Sequence, residues 1–138
     1  MKTFTKAAGS LLLIGSLGLA SAAQAGQTLT CDFSDPGRNH VIPAKVVVTF
    51  ADDGTTAMVE DRMILREKRK PIEAKFVKLT SKLYRVRWEL LDVEGSGGAL
   101  ADLEYRLYYK PKKGKAHLDF SARGYPNTDR GNGTCDLK

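Results

Sequence analysis

Side chains that could do chemistry are sparse in this chain. The two histidines, His40 and His117, could act as acid and base in RNA cleavage if both reached one reacting centre. Asp92 and Glu94 precede Gly95-Ser96-Gly97-Gly98, a grouping that offers paired carboxylates, a hydroxyl and a flexible glycine segment. Cys31 and Cys135, the two thiols of the chain, could form a disulfide, bind a metal or do redox work. "REKRKP" (66–71), with Arg62 nearby, is the densest run of charge and suits attraction of an anionic partner rather than catalysis. The catalytic readings lack partners. The glycine cluster has neither the lysine nor the strand-to-helix context of a phosphate loop. Ser96 has no identifiable base, and no His/Cys/Asp spacing suits a metal. No catalytic constellation emerges, so the sequence predicts a protein that is not an enzyme and needs no cofactor.

The elements that must position these residues start with a leader. Lys2 and Lys6 flank the way into the apolar stretch "LLLIGSLGLA", and Ala23-Gln24-Ala25 has the small-x-small pattern of a signal-peptidase site. That stretch falls short of the ~18 residues that suggest a membrane span. Residues 1–25 are therefore expected to be a cleaved signal peptide and 26–138 a single periplasmic or secreted domain, with no integral membrane segment after cleavage. Cleavage would leave 113 of the 138 residues and lower the formal charge from +6 to +4, because both leader lysines depart. In an oxidising compartment, two cysteines in a small domain usually pair. A Cys31–Cys135 bond would close almost the whole domain into one loop, worth roughly 4–5 kcal/mol on chain-entropy grounds. It also demands Cα atoms within ~7 Å, which makes the first and last segments neighbours.

Between the cysteines the periodicity is that of strands. In "KVVVTFADDGTTAMVED", a two-residue Asp53-Gly54 turn of type I′ would set Phe50 opposite Ala57 and Val48 opposite Val59. "ALADLEYRLYY" and "KAHLDFSA" alternate likewise, and folding about Pro111–Gly114 pairs Tyr109 with Ala116, Leu107 with Leu118 and Tyr105 with Phe120. Arg106 then faces Asp119 on the outside. Strands are expected near 27–33, 45–51, 55–60, 72–79, 83–91, 99–109, 115–122 and 134–137. Consecutive antiparallel strands with the first beside the last describe an all-β, small eight-stranded antiparallel up-and-down barrel whose one disulfide joins the terminal strands. A two-sheet sandwich would accept the same bond. Inward Phe50, Phe76, Tyr84, Trp88, Tyr105 and Phe120 predict a packed interior.

Such a barrel sends alternate connections to opposite ends. "ADDGT", "TSK" and "KPKKGK" fall at one end, and the longer "SDPGRNHVIPA", "DRMILREKRKP", "DVEGSGG" and "RGYPNTDRGNG" at the other. Binding residues concentrate in loops on a rigid scaffold. The candidate contact residues are therefore Arg38, His40, Arg62, Arg66, Lys68, Arg69, Lys70, Ser96, Arg123, Tyr125 and Arg130. The bland alternative is that these loops only plug and solvate the barrel mouth. In this arrangement His40 and His117 lie a strand's length apart and share no centre. Lys110, Lys112, Lys113 and Lys115 belong to the short-loop end. With the aromatic residues mostly inward there is no stacking platform, and no nucleic-acid partner is expected.

An early cysteine followed by "VVVTFADDGTTAMV", a late "KGKAHLDF…TC" and the leader together resemble the periplasmic inhibitors of c-type lysozyme, over most of the chain after the leader. That resemblance implies the barrel fold and a loop carrying Ser-Gly-x-x-Tyr that enters the enzyme's cleft. Here Ser96-Gly97-Gly98-Ala99 is followed by Leu100 instead of tyrosine, and a basic chain meeting a basic lysozyme loses electrostatic steering. The sequence thus predicts an exported, monomeric, non-enzymatic binding module that engages a protein or anionic envelope component through its long loops. An inhibitor of a lysozyme-like enzyme and a small apolar-ligand carrier are the alternatives.

Overall fold

The structure, a computed structural model, describes residues 26–138; the leader expected over 1–25 lies outside the described residues. In chain order the elements are β1 (Thr28–Phe33), β2 (Lys45–Phe50), β3 (Thr56–Asp61), α1 (Arg62–Lys68), β4 (Ile72–Thr80), β5 (Leu83–Glu94), β6 (Leu100–Lys110), β7 (Lys115–Ala122) and β8 (Thr128–Leu137). Every strand pairs antiparallel with the next, and β8 pairs with β1, so the sheet closes into a barrel. At the seam Cys31 lies directly opposite Cys135. Their Cα atoms are 4.0 Å apart and the sulfurs are bonded. Two main-chain hydrogen bonds between Thr28 and Lys138, of 2.8 and 2.9 Å, extend the seam to the chain end. Closure leaves no continuous free edge for another chain to pair with.

Alternation in the sequence sets which side chains fill the barrel, because successive side chains of a strand point to opposite faces. Val48 opposes Val59 and Phe50 opposes Ala57; Tyr105 opposes Phe120 and Leu107 opposes Leu118, all as the pattern predicted. Leu29, Val46, Val48, Val59, Leu90, Leu107 and Leu118 have no exposed surface, and each contributes roughly 1.5–3 kcal/mol of transfer free energy. The aromatic side chains touch in two sets. Trp88 stacks on Tyr105 at 5.4 Å, and Tyr105 meets Phe120 at 5.2 Å. Nearer the short turns, Phe50, Phe76, Tyr84 and Tyr109 follow one another at 4.5, 5.6 and 6.2 Å. The interior is a packed core, in which the aromatic rings meet one another.

Four expectations need correction. The connection over 62–70 is not an open loop, since its first part forms α1. Burial of Ile64 and a cap at Asp61 order a segment whose charge had suggested a loop. The last strand begins at Thr128 rather than near 134. Gly131 and Gly133, which resemble turn residues in sequence, sit in this strand because the β1 end and its following connection lie against them. A Cβ on Gly131 would come within 2.6 Å of Ile42 Cγ2 and 2.7 Å of Asp35 O. β5 continues to Glu94 through an irregularity between Leu90 and Val93, where Asp92 takes a left-handed φ of 55°. The Asp53-Gly54 turn keeps its predicted register but is wider than two residues. It runs over 51–55, and Gly54 alone in it has positive φ, 69°. Asp53 holds it by accepting from Thr55 N at 2.8 Å, Thr56 N at 2.9 Å and Thr56 Oγ1 at 2.7 Å.

The connections over 34–44, 62–71, 95–99 and 123–127 reach one end of the barrel, and 51–55, 81–82 and 111–114 the other. Once the strands are drawn at their true lengths, 95–99 and 123–127 are no longer than 51–55. The asymmetry of the two rims rests on 34–44 and on α1 with the residues after it.

Candidate binding rim

Two connections build the long rim from below. In the first, Asp35 Oδ1 accepts from Gly37 N at 2.9 Å, and Asp129 on β8 then fastens the segment. Asp129 accepts from Arg38 N at 2.9 Å, Asn39 N at 2.7 Å and Arg130 N at 2.9 Å. These N–H donors, with the Arg38 charge, hold the Asp129 carboxyl below the usual carboxylate range. Gly37 is required where it stands, with φ of 74° and its α-carbon against that carboxylate, which a Cβ would approach to 2.5 Å. Ile42 then turns into the core, and Val41 O accepts from Tyr105 OH at 3.1 Å.

The second is α1. Asp61 caps it, its Oδ1 accepting from Ile64 N at 2.8 Å, as an N-cap aspartate does. Arg69 ends it in the left-handed conformation, φ 61°, donating its N–H to Leu65 O at 3.1 Å. Ile64 is buried in the barrel mouth and Met63 Sδ lies 3.6 Å from Tyr105 OH. The mouth is therefore stoppered from two sides, by Ile42 and Ile64. Asp61 Oδ2 is buried and, among the described residues, has no hydrogen-bond partner, and burial raises the Asp61 pKa.

The rim residues divide by how their charge is met. Arg130 is not in a loop: it lies on β8 and grips Asp119 through two contacts of 2.5 and 3.0 Å. Arg123 is shared between Glu89 at 3.0 Å and Asp102 at 3.5 Å, the outer end of a ladder in which Arg87 joins Glu89 at 2.8 Å and Glu104 at 2.5 Å. Arg106 Nε lies 3.3 Å from Glu104, at an angle too poor for a hydrogen bond. These arginines serve the barrel wall. Among the described residues, Arg66 meets only its exposed neighbour Glu67, at 2.9 Å, and Lys68 reaches Leu91 O at 3.4 Å. Among the described residues, no carboxylate lies within 4 Å of Arg38, Arg62, Arg69 or Lys70.

Apolar surface accompanies these cations. Leu65 is 42%, Leu91 46%, Tyr125 47% and Leu100 57% exposed. Tyr125 OH donates to Leu100 O at 3.4 Å, which ties the 123–127 turn to the next one. Between α1 and 40–45 runs an open groove of about 930 Å³, floored by Val41, Ile42 and Met63 and edged by His40, Arg62 and Arg66. Sequence reasoning found the cations but missed Leu65, Leu91 and Leu100. Leu91 breaks the inward alternation of Trp88 and Leu90, a signal that was available; Leu65 needed the helix.

The residues singled out for catalysis stay apart. His40 belongs to the long rim, whereas His117 lies on the outer face of β7, stacked on Tyr108 at 4.8 Å and opposite Asn132. Burial lowers the His117 pKa, against the pull of Asp119. Ser96 stands exposed at the tip of a turn closed by Gly95 N donating to Ala99 O at 2.8 Å. Asp92 N donates to Asp102 Oδ1 at 3.1 Å, which makes Asp92 part of a strand irregularity. Among the described residues there is no group of three metal-ligating side chains, and no helix is long and apolar enough to cross a membrane.

Comparison with protein-family models, curated proteins and solved structures found no match.

Proposed function

We propose that this protein is an exported, non-enzymatic binding module that docks the acidic surface of a partner protein on the α1 side of its long rim. One observation carries the reading: Arg62, Arg69 and Lys70, unmet by carboxylates among the described residues, share the rim with exposed Leu65, Leu91, Leu100 and Tyr125. Arginine and aromatic side chains are enriched where proteins meet, and exposed apolar anchors supply the area that such contacts bury. The leader-like N-terminal segment and the disulfide support an oxidising compartment. Ion pairing removes Arg123 and Arg130 from the contact set and leaves the helix as its centre.

The test is a pull-down from envelope extract with wild type and with Arg66→Gln/Lys68→Gln/Arg69→Gln/Lys70→Gln. The captured partner is then purified and titrated. An acidic protein bound at least tenfold more weakly by the variant, with affinity falling as salt rises, is the expected result. Equal capture by both proteins removes the reading.

A second reading, inhibition of a lysozyme-like enzyme, is favoured by the exposure of Ser96 at the tip of the 95–99 turn on the same rim. It predicts loss of lysozyme turnover at stoichiometric protein and recovery with Ser96→Ala. Undiminished turnover eliminates it.

A further inference from the structure

The opposite rim carries a site of different chemistry. Lys82, Lys110, Lys112 and Lys113 line one pocket of about 440 Å³, with Leu83 among them. The pocket forms because β5 and β6 pair through Tyr84 and Tyr109, which brings the 81–82 and 111–114 turns side by side. Both turns are fixed from within. Lys113 N and Gly114 N donate to Lys110 O at 3.1 and 3.0 Å, Cys135 N donates to Gly114 O at 2.8 Å, and Lys82 N donates to Thr80 Oγ1 at 3.1 Å. The main chain that carries these lysines is thus fixed.

The charge here is unbalanced. None of these lysines has a carboxylate within 4 Å among the described residues; at the chain end, Asp136 takes Lys138 at 3.5 Å. Lys110 lies directly opposite Lys115 at the foot of the turn, a like-charge pair that weakens a sheet. Such an arrangement costs stability in the free protein and is relieved by a bound anion.

We infer that this pocket binds a phosphate monoester group. Lysine, unlike arginine, presents a compact charge with no planar fork to match a carboxylate. Ammonium groups carried on two adjacent turns suit a tetrahedral dianion with three acceptor oxygens better than a flat monoanion. Leu83 and the lysine stems offer an apolar wall to the carbon skeleton that carries the phosphate. A soluble phosphate ester and the headgroup of a phosphomonoester lipid share this chemistry. The inference stands apart from the long rim, so its failure leaves the protein-docking proposal intact.

The experiment titrates the disulfide-bonded protein with glycerol phosphate and, separately, with phosphatidylcholine vesicles containing phosphatidic acid, while amide NMR shifts are followed. Shifts confined to 80–84 and 109–115 are expected. Lys82→Gln/Lys110→Gln/Lys112→Gln/Lys113→Gln should weaken binding at least tenfold, whereas the long-rim quadruple variant, with the same charge removed, should bind as wild type does. Binding in one arm only, soluble ester or vesicle, supports the site and identifies its source. Three results would overturn the inference: no binding in either arm, equal loss in both quadruple variants, or equal binding to vesicles carrying the phosphodiester lipid phosphatidylglycerol. The shift map of wild type and the single variant Lys112→Gln decide the matter if the quadruple variant fails to fold.

Discussion

The two ends of this barrel handle positive charge in opposite ways. Toward the long rim, arginines that reach the wall are drawn into ladders with Glu89, Asp102, Glu104 and Asp119, and the cations left over share their surface with leucine and tyrosine. At the short rim the cations are lysines, crowded around a pocket with no carboxylate within 4 Å among the described residues. Net charge conceals this difference. A uniformly basic protein would behave alike at both ends, whereas this one offers an amphipathic surface at one and a point-charge cluster at the other. The contrast turns on what each rim is built from: a capped helix and a pinned connection on one side, tight turns fixed by their own main chain on the other.

The largest effect expected is one that both rims share. Cys31→Ser/Cys135→Ser removes the bond across the seam, at a cost of roughly 4–5 kcal/mol on loop-length grounds. Denaturant unfolding followed through Trp88, the single tryptophan and a buried one, measures it. Hydrogen exchange should then rise at β1 and β8, which serve both ends. A loss under 1 kcal/mol would mean that strand pairing at the seam suffices, and that the rims do not depend on the bond.

Next in size is a change that separates the rims. Ile64→Ala leaves a cavity under α1 and should cost about 3 kcal/mol. Exchange should accelerate over 61–69 and at 40–42 while 81–83 and 110–114 stay protected. Uniform acceleration at both ends would refute the division drawn above, because the helix would then be part of the common core.

The same contrast explains what the sequence revealed. Strand alternation and the paired cysteines were enough for the barrel, its register and its closure, because a period of two with one buried face leaves little freedom. The short rim was nearly complete in sequence, since tight turns put Lys110 to Lys115 where they must be. Its pocket still escaped notice, because Lys82 joins it only through the β5–β6 pairing. The long rim was the less legible end. Arg123 and Arg130 look like free cations until Glu89, Asp102 and Asp119 arrive from other strands. The 62–68 stretch reads as a charged loop because a single residue, Ile64, carries its burial. Gly131 and Gly133 signal a turn in sequence and close packing in space. What could not be read was in each case a contact between distant segments.

A smaller effect distinguishes the carboxylates of the two rims by the sign of their pH response. At the short rim, hydrogen bonds from Thr55 N and then from Thr56 lower the Asp53 pKa to about 2. Its contribution is present above the unfolded value near 4 and fades as pH falls toward 2. Asp61 at the long rim has its pKa raised by burial. Its contribution is complete below the unfolded value and lost as pH rises through the folded one. Asp61→Asn keeps a side chain that can cap α1 and cannot ionise. The difference between its stability curve and that of wild type should therefore slope in the variant's favour from about pH 4 upward. Asp61→Ala should cost about 1 kcal/mol through the lost cap. An asparagine variant as unstable as the alanine one at neutral pH would show that ionised Asp61 is the better cap despite its burial.

The finest distinction between the rims is a single backbone conformation. Both rims have left-handed residues where their connections turn, and two of them compare directly. Gly114 at the short rim has φ 60° and Arg69 at the long rim φ 61°. The left-handed region costs a residue with a Cβ roughly 1–2 kcal/mol, while glycine loses about 0.5–1 kcal/mol in the unfolded chain. Arg69→Gly should therefore stabilise the protein by about 0.5–1 kcal/mol, with a matching rise in the denaturation midpoint. Arg69→Gln retains the strain and removes only the charge, and its midpoint should stay with wild type. If Arg69 is kept for contact, both variants bind the long-rim partner more weakly and only one is more stable. Should Arg69→Gly lower the midpoint instead, the arginine side chain itself supports α1, and the long rim is built by the same self-contained logic as the short one.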